Sequence, residues 1–188
     1  MTASTTVRTA DVAPQPWRNG GGETRTLLVR PRGDRWQVRV SVADVDVNGP
    51  FSRFPGVQRW FAVLEGGDVI LTIGAKEHRL GRDGDAISFR GDVAVRCRLV
   101  DGATRDLNLM LSGLPGTMQR VVPGQPWRPT ARECGLYATT AGRTDASAPD
   151  ESAPMPANAL RWWADAPDSL VFDGAGWWLA AGTSEAPP

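Results

Sequence analysis

Residues 35–42 read RWQVRVSV, and hydrophobic and polar side chains alternate along them. In an extended chain the tryptophan and the three valines fall on one face, and the polar side chains fall on the other. Similar short runs recur between turns at 57–64, 68–73, 86–89, 93–99 and 107–111. They predict β-strands, whereas no stretch has the 3.6-residue spacing of an amphipathic helix.

Many short strands separated by glycine, proline and aspartate predict an all-β protein with little helix, built as a barrel or sandwich. The 188 residues fit a single domain over 1–188. Residues 113–130 are rich in glycine and proline and predict a crossover between a first half, 1–112, and a second half, 131–188. Small and polar residues at 141–159 predict a mobile surface loop. Two strand-rich halves would suit a degenerate duplication.

Composition excludes some partners. The formal net charge is zero, with 41% hydrophobic and 22% charged residues, so no field of one sign exists to attract nucleic acid or an anionic membrane. The N-terminus lacks the apolar core of a signal peptide, and no 18-residue apolar run occurs. Cys97 and Cys134 are far apart and suggest buried thiols. We therefore expect a cytoplasmic protein.

The single histidine, His78, limits the chemistry. Metal sites on β-barrels usually use two or three histidines, and no acidic cluster with cation-binding spacing occurs in the sequence. A Ser–His–Asp triad would need the same histidine, which lies in a polar segment typical of a surface turn. The sequence therefore predicts no metal and no cofactor.

Two irregular segments carry most of the polar chemistry. Residues 48–59 read NGPFSRFPGVQR, with turn signals at Asn48-Gly49-Pro50 and Pro55-Gly56 that would hold two aromatics and a serine on a constrained loop. Residues 14–26 read PQPWRNGGGETRT, in which three glycines permit close backbone approach or an anion-binding nest. The alternatives are a hairpin connection with buried anchors and a purely structural turn, and the residues alone leave both open.

A third group lies opposite the hydrophobic rows of two predicted strands: Arg39, Ser41, Asp106 and Asn108. In an open sheet this face would be solvated, whereas in a closed barrel it would line a polar pocket. Arginine can clamp a carboxylate through two parallel hydrogen bonds, and serine and asparagine can orient it. Alternation alone does not say which face is inside.

Six motifs occur in one order over residues 14–112: PWRNGGGETR, WQVRVSVADV, GPFSRFPGVQR, VLEGGDVIL, FRGD and DLNLML. Together they resemble the HutD/Ves family. The resemblance implies a cupin-type β-barrel, described as two cupin-like halves in one chain, without the histidine ligands of metal-binding cupins. It also implies a link to histidine utilisation, a pocket for a small carboxylate, and a regulatory or ligand-sensing role.

The resemblance also assigns ligand-binding positions, which are Trp17, Arg18, Asn19, Thr24, Arg39, Ser41, Phe51, Ser52, Arg59, Asp106 and Asn108. The chain departs from the family pattern at two positions. Many relatives have lysine where Arg18 stands and glutamate where Thr26 stands, so the charge of this pocket differs from theirs.

These observations lead to three hypotheses. The first is a metal-free cupin-like protein that binds a urocanate- or formylglutamate-like carboxylate and acts as a sensor. The second is a metal-independent isomerase or lyase with Glu23 or Asp106 as general base. The third is a protein–protein interaction module, suggested by the doublets at 162–163 and 177–178. An exposed sheet edge would also suit a homodimer.

Overall fold

A computed structural model of the chain describes residues 4–146 and 154–182. Within these ranges the strands in chain order are β1 (Ser4–Arg8), β2 (Gln15–Pro16), β3 (Gly22–Arg30), β4 (Val38–Val45), β5 (Gly49–Pro50), β6 (Val57–Gly66), β7 (Val69–Ile73), β8 (Lys76–Leu80), β9 (Ile87–Arg90), β10 (Val95–Leu99), β11 (Thr104–Ser112), β12 (Gly116–Arg120), β13 (Glu133–Ala138), β14 (Gly142–Ala146), β15 (Pro154–Met155), β16 (Ala159–Trp163), β17 (Leu170–Phe172) and β18 (Gly176–Ala181). The described residues contain no α-helix, and a single 3-10 turn spans Thr9–Asp11. The prediction of an all-β chain is confirmed.

The described chain packs into two compact units. The first unit comprises residues 13–113 and contains a six-stranded antiparallel sheet in the order β2-β3-β4-β11-β6-β9 and a four-stranded sheet in the order β5-β10-β7-β8. The second unit comprises the described residues of 1–12 and 114–188, with a five-stranded sheet in the order β1-β16-β13-β18-β12 and a three-stranded sheet in the order β15-β14-β17.

The centre of the first unit is formed by β4, β11 and β6, whose residues are buried on both faces. One face of β4 carries Val38, Val40 and Val42, each at most 2% exposed. The other face belongs to a core of Ala43, Val45, Phe61, Val63, Val69, Leu71, Phe89, Val95 and Cys97. Burial of both faces answers the question that alternation left open, because the face carrying the polar residues is also an interior face.

The second unit is filled by large aromatic side chains. Both tryptophan doublets lie in strands, at the end of β16 and the start of β18, and all four residues are 1–2% exposed. The core of this unit includes Trp163, Trp178, Leu136 and Phe172, and Trp178 stacks on Trp127 with ring centroids 4.7 Å apart. The doublets are therefore core residues, which removes the observation that suggested an interaction module.

Several segments differ from the sequence-based expectations. The range 113–130 contains strand β12, and the range 141–159 contains β14 and β15, while its residues 147–153 lie outside the described part of the chain. His78 lies half-buried on β8 opposite Leu71, in a strand and not in a turn. Polar composition concealed these strands because edge strands and half-buried strands expose many side chains.

The described residues include no helix with the length and hydropathy needed to cross a membrane.

Candidate functional site

The first unit contains an open cavity of about 540 Å³. Residues from the N-terminal motif, from β3, β4, β6 and β11, and from the loop before β6 line it: Gln15, Pro16, Trp17, Arg18, Asn19, Thr24, Arg39, Ser41, Ala43, Val45, Pro50, Phe51, Ser52, Phe54, Arg59, Phe61, Asn108 and Met110. Ten of the eleven residues predicted to bind a ligand are in this set, and Asp106 is not. The structure thus brings together three segments that are far apart in sequence.

Strand register places two arginines beside one residue. Met110 on β11 pairs with Arg39 on β4 and with Arg59 on β6. Directly opposed residues on antiparallel strands present their side chains on the same face, so both arginines contribute to the cavity wall. The next pair along that face, Asn108 with Ser41, lines the cavity as well.

Arg59 is buried, with 6% of its surface exposed. Its guanidinium donates hydrogen bonds to the backbone oxygen of Ser52 at 3.2 Å and to Asn108 Oδ1 at 3.1 Å. It also lies 5.1–5.6 Å from the ring centroids of Phe51, Phe54 and Phe89. Burial lowers the pKa of Arg59 to about 10, with a further contribution from the charge of Arg39. The group is still charged at neutral pH, so the lowered pKa expresses the cost of holding this cation out of water.

Arg39 adds a second, half-buried cation. It donates a hydrogen bond to Thr26 Oγ1 at 3.1 Å, and burial lowers its pKa. Neither Arg39 nor Arg59 forms an ion pair with a carboxylate of the described residues, and the Nε of each is buried without a partner there. Two neighbouring cations that lack a counter-charge make the cavity a favourable place for an anion.

The N-terminal motif forms one side of the cavity. Trp17 Nε1 donates to Thr24 Oγ1 at 2.7 Å, and the Trp17 amide donates to the Gly22 oxygen at 2.9 Å. These bonds fix the indole against the start of β3. Arg18, next in sequence, is exposed and lines the cavity on its solvent side.

The glycines of this motif serve the turn itself. The Gly20 amide donates to the Trp17 oxygen at 3.0 Å, and the Gly21 amide donates to Asn19 Oδ1 at 3.2 Å. Because both amides have partners within the motif, the structural interpretation of the glycines is favoured over an anion-binding nest.

The loop before β6 forms the opposite wall and is anchored at several points. Asn48 Oδ1 accepts a hydrogen bond from the Leu99 amide at 2.7 Å, and the Phe51 amide donates to the Val95 oxygen at 2.9 Å. Phe51 also packs on Phe61 with ring centroids 5.6 Å apart. The loop is thus more than a hairpin connection, since it supplies phenyl rings and the Ser52 carbonyl to the environment of the buried arginine.

Asp106 lies outside the cavity lining. It shares a strand face with Asn108 but lies two residues before it on β11, where it is 0% exposed and opposite Ala43 and Val63. Thr104 Oγ1 donates to its Oδ2 at 2.9 Å, and its Oδ1 has no partner in the described structure. Burial raises the pKa of Asp106 to about 8, and the charge of Asp44 contributes to the rise. Strand alternation predicted the face of β11 on which Asp106 lies, but it could not predict that this position is outside the cavity lining.

The other candidate base, Glu23, is also absent from the lining. It forms an ion pair with Arg25 at 2.7 Å. No aspartate, glutamate, histidine, cysteine, lysine or tyrosine occurs among the lining residues. The cavity therefore presents no conventional side-chain general base, and the proposal of an isomerase or lyase loses both residues on which it was built.

Eight lining residues lie outside the set predicted to bind a ligand, and only Phe54 among them was expected in the pocket wall: Gln15, Pro16, Ala43, Val45, Pro50, Phe54, Phe61 and Met110. Ala43 and Val45 continue the face of Ser41 along β4, and Met110 continues the face of Asn108 along β11. Following the alternation to the end of each strand would have found these three.

The side chains that usually bind metals are dispersed. Across residues 4–146 and 154–182 no group of three or more His, Cys, Asp or Glu side chains is arranged to hold a metal ion. The donor set of the cavity consists of guanidinium groups, hydroxyls and amides, which suits an anion.

Comparisons with known proteins add the family context. The HutD family model matches residues 9–178. The uncharacterized 21.2 kDa protein in the hutC 3′ region of Pseudomonas putida is 38% identical over 107 residues, which are 55% of this chain and 56% of that protein. Protein Ves of Citrobacter koseri is 43% identical over 97 residues, 50% of each chain. The match thus spans about half the length of these curated relatives.

Solved structures are similar over nearly the whole chain. HutD from Pseudomonas fluorescens SBW25, solved in a formate condition, has a TM-score of 0.84 at 25% identity and covers 97% of this chain and 100% of its own. A variant of the oxalate decarboxylase of Bacillus subtilis has a TM-score of 0.63 at 10% identity, covering 95% of this chain and 77% of its own. The second likeness concerns the fold alone. Together they confirm the expected cupin-like β-fold.

Proposed function

The chain belongs to the HutD family, and on this premise we propose that the cavity of the first unit binds a small carboxylate metabolite, so that the protein acts as a metal-free ligand sensor. The observation that carries the proposal is the pair Arg39 and Arg59, two cations beside one cavity with no ion-pair partner in the described chain. A carboxylate would supply the missing counter-charge and accept charge-assisted hydrogen bonds.

Features of relatives support a link to histidine utilisation. One relative is the 21.2 kDa protein in the hutC 3′ region of Pseudomonas putida, and a similar structure is HutD solved in a formate condition. We propose urocanate, formylglutamate, glutamate and formate as ligands to test. The lining residues lack a conventional general base, which favours ligand sensing over catalysis.

The proposed location is the cytoplasm. Cys97 and Cys134 are both buried in the structure. Reduced thiols are the usual state in that compartment, so the cysteine usage is compatible with a cytoplasmic sensor of metabolites.

Calorimetry of the full chain with the four carboxylates tests the proposal. We expect at least one Kd below about 1 mM, equivalent to a binding free energy more favourable than about −4 kcal/mol. Arg59→Met should weaken that binding by roughly 2 to 5 kcal/mol, because a ligand carboxylate would lose its buried partner.

The same variant shows whether the arginine is merely structural. Because Arg59 is a buried cation without a counter-charge, its replacement by an apolar side chain should leave the free energy of unfolding unchanged or raised. Arg53→Met, at an exposed arginine of the same loop that does not line the cavity, is the matched control and should bind normally. Failure of all four carboxylates to bind, or unchanged affinity in Arg59→Met, would overturn the proposal.

A further inference from the structure

The cavity carries more positive charge than one carboxylate can balance. Three arginines line it, and no acidic residue does, although the whole chain has a formal net charge of zero. The mutual repulsion of two of them contributes to the lowered pKa of Arg59. A ligand with a single negative charge would leave a formal excess of two positive charges around the cavity.

The three arginines differ in depth. Arg59 is 6% exposed, Arg39 is half-buried, and Arg18 is exposed at the solvent side. Arg18 forms no ion pair within the described ranges, and its neighbour Trp17 is tied to Thr24. The charged groups therefore extend from the interior of the cavity to its opening.

The remaining wall is largely apolar. Its rings and aliphatic groups belong to Phe51, Phe54, Phe61, Met110, Val45 and Pro50. Such a surface does not solvate a second charge, and it favours a short hydrocarbon spacer between charged ends. The cavity volume of about 540 Å³ accommodates a molecule of about five or six carbons together with water.

We propose that Arg18 forms a second carboxylate subsite, so that the cavity selects dicarboxylates with a short apolar spacer over monocarboxylates. The inner carboxylate lies at Arg59 and Arg39, and the outer carboxylate lies at Arg18. This inference rests on the proposed function, since it assigns a specificity determinant to the same site.

Calorimetry with matched pairs of acids tests the subsite. The full chain is titrated with succinate, glutarate and adipate, and with the monocarboxylates butyrate, valerate and hexanoate, which have equal carbon numbers. The best dicarboxylate should bind about two- to fivefold more tightly than its monocarboxylate partner, which is the range expected for an added ion pair at an exposed arginine. Arg18→Gln should abolish this difference by weakening the binding of the dicarboxylates more than the binding of the monocarboxylates.

Arg18→Lys should restore part of the preference, since a lysine keeps the charge without the planar fork. Arg53→Gln removes an exposed arginine outside the lining and should leave the preference intact, which controls for loss of net charge.

The outcomes separate the two proposals. Equal affinities for the two acid series, with binding still dependent on Arg59, would overturn the subsite and leave the proposed function standing. A dicarboxylate preference that survives Arg18→Gln would overturn the assignment to Arg18. Binding of neither series, with the four candidate metabolites also failing, would overturn both proposals.

Discussion

Asp106 is a fully buried carboxyl group that lies outside the cavity lining, and its environment favours the neutral form. Burial raises its pKa to about 8, whereas the same group in an unfolded chain has a pKa near 3.8. The folded state therefore holds the proton over a pH range in which the unfolded state releases it. The resulting stability is fully present below about pH 4 and is lost as pH rises to about 8.

We expect the free energy of unfolding to fall by up to about 1.4 kcal/mol per pH unit through this window. The pKa of Asp44 is lowered despite its burial because Arg105 and Arg25 bind it. Its ionisation therefore affects the free energy of unfolding only in more acidic solution, where it makes stability rise with pH. Asp106→Asn should remove the slope between about pH 5.5 and 8 and stabilise the protein at about pH 8 by on the order of 2 kcal/mol. Urea denaturation measures both quantities.

The matched control is Asp46→Asn, which removes an acid at an exposed position of the same unit. This variant should show the same dependence of the free energy of unfolding on pH as the parent protein. A parent protein whose stability is flat from about pH 5.5 to 8 would show that Asp106 is ionised in the folded state.

At the scale of elements, the start of β3 depends on one glycine. A Cβ at Gly22 would overlap with the backbone oxygen of Asp44 on β4, so a side chain there must push the two strands apart. Gly22→Ala should cost roughly 2 to 4 kcal/mol of unfolding free energy. It should also weaken ligand binding, because Trp17 is bonded to the Gly22 oxygen and to Thr24.

Gly20 supplies the comparison within the same motif. It has a φ of +69° and nothing within 4 Å of an added Cβ, so Gly20→Ala incurs only backbone strain of about 1 kcal/mol. Thermal and urea unfolding should therefore show a larger loss of stability in Gly22→Ala than in Gly20→Ala. Equal destabilisation of the two variants would mean that the close approach of β3 to β4 does not exclude a side chain at Gly22.

Alternation predicted much of this architecture because β4 and β11 carry clear period-two patterns. It could not predict which face is interior, since Val40 and Leu109 on one face and Ser41 and Asn108 on the other are all buried. β3 was missed because its glycine-rich start reads as a turn. Asp106 was assigned to the ligand site because the sequence indicates the face on which a strand residue lies, but not whether that part of the strand reaches the cavity.

At the scale of the molecule, the cavity involves only the first unit, while the second unit has an aromatic core of its own. The tryptophan doublets are 1–2% exposed there, so the sequence feature that pointed to a binding surface instead contributes to packing. Fluorescence of these tryptophans reports on the second unit, whereas Trp17 lies at the cavity.

Hydrogen exchange with and without a bound carboxylate tests whether binding acts through the first unit. Short labelling times report local opening, so saturating glutarate should slow exchange most in β3, β4, β6, β11 and the loop before β6, which surround the cavity. β13 and β16 in the second unit serve as internal references, and Arg59→Met with the same ligand should show no slowing. A slowing in β13 and β16 as large as that in β4 would contradict a local effect of binding on the first unit, because exchange through local opening reports each segment separately.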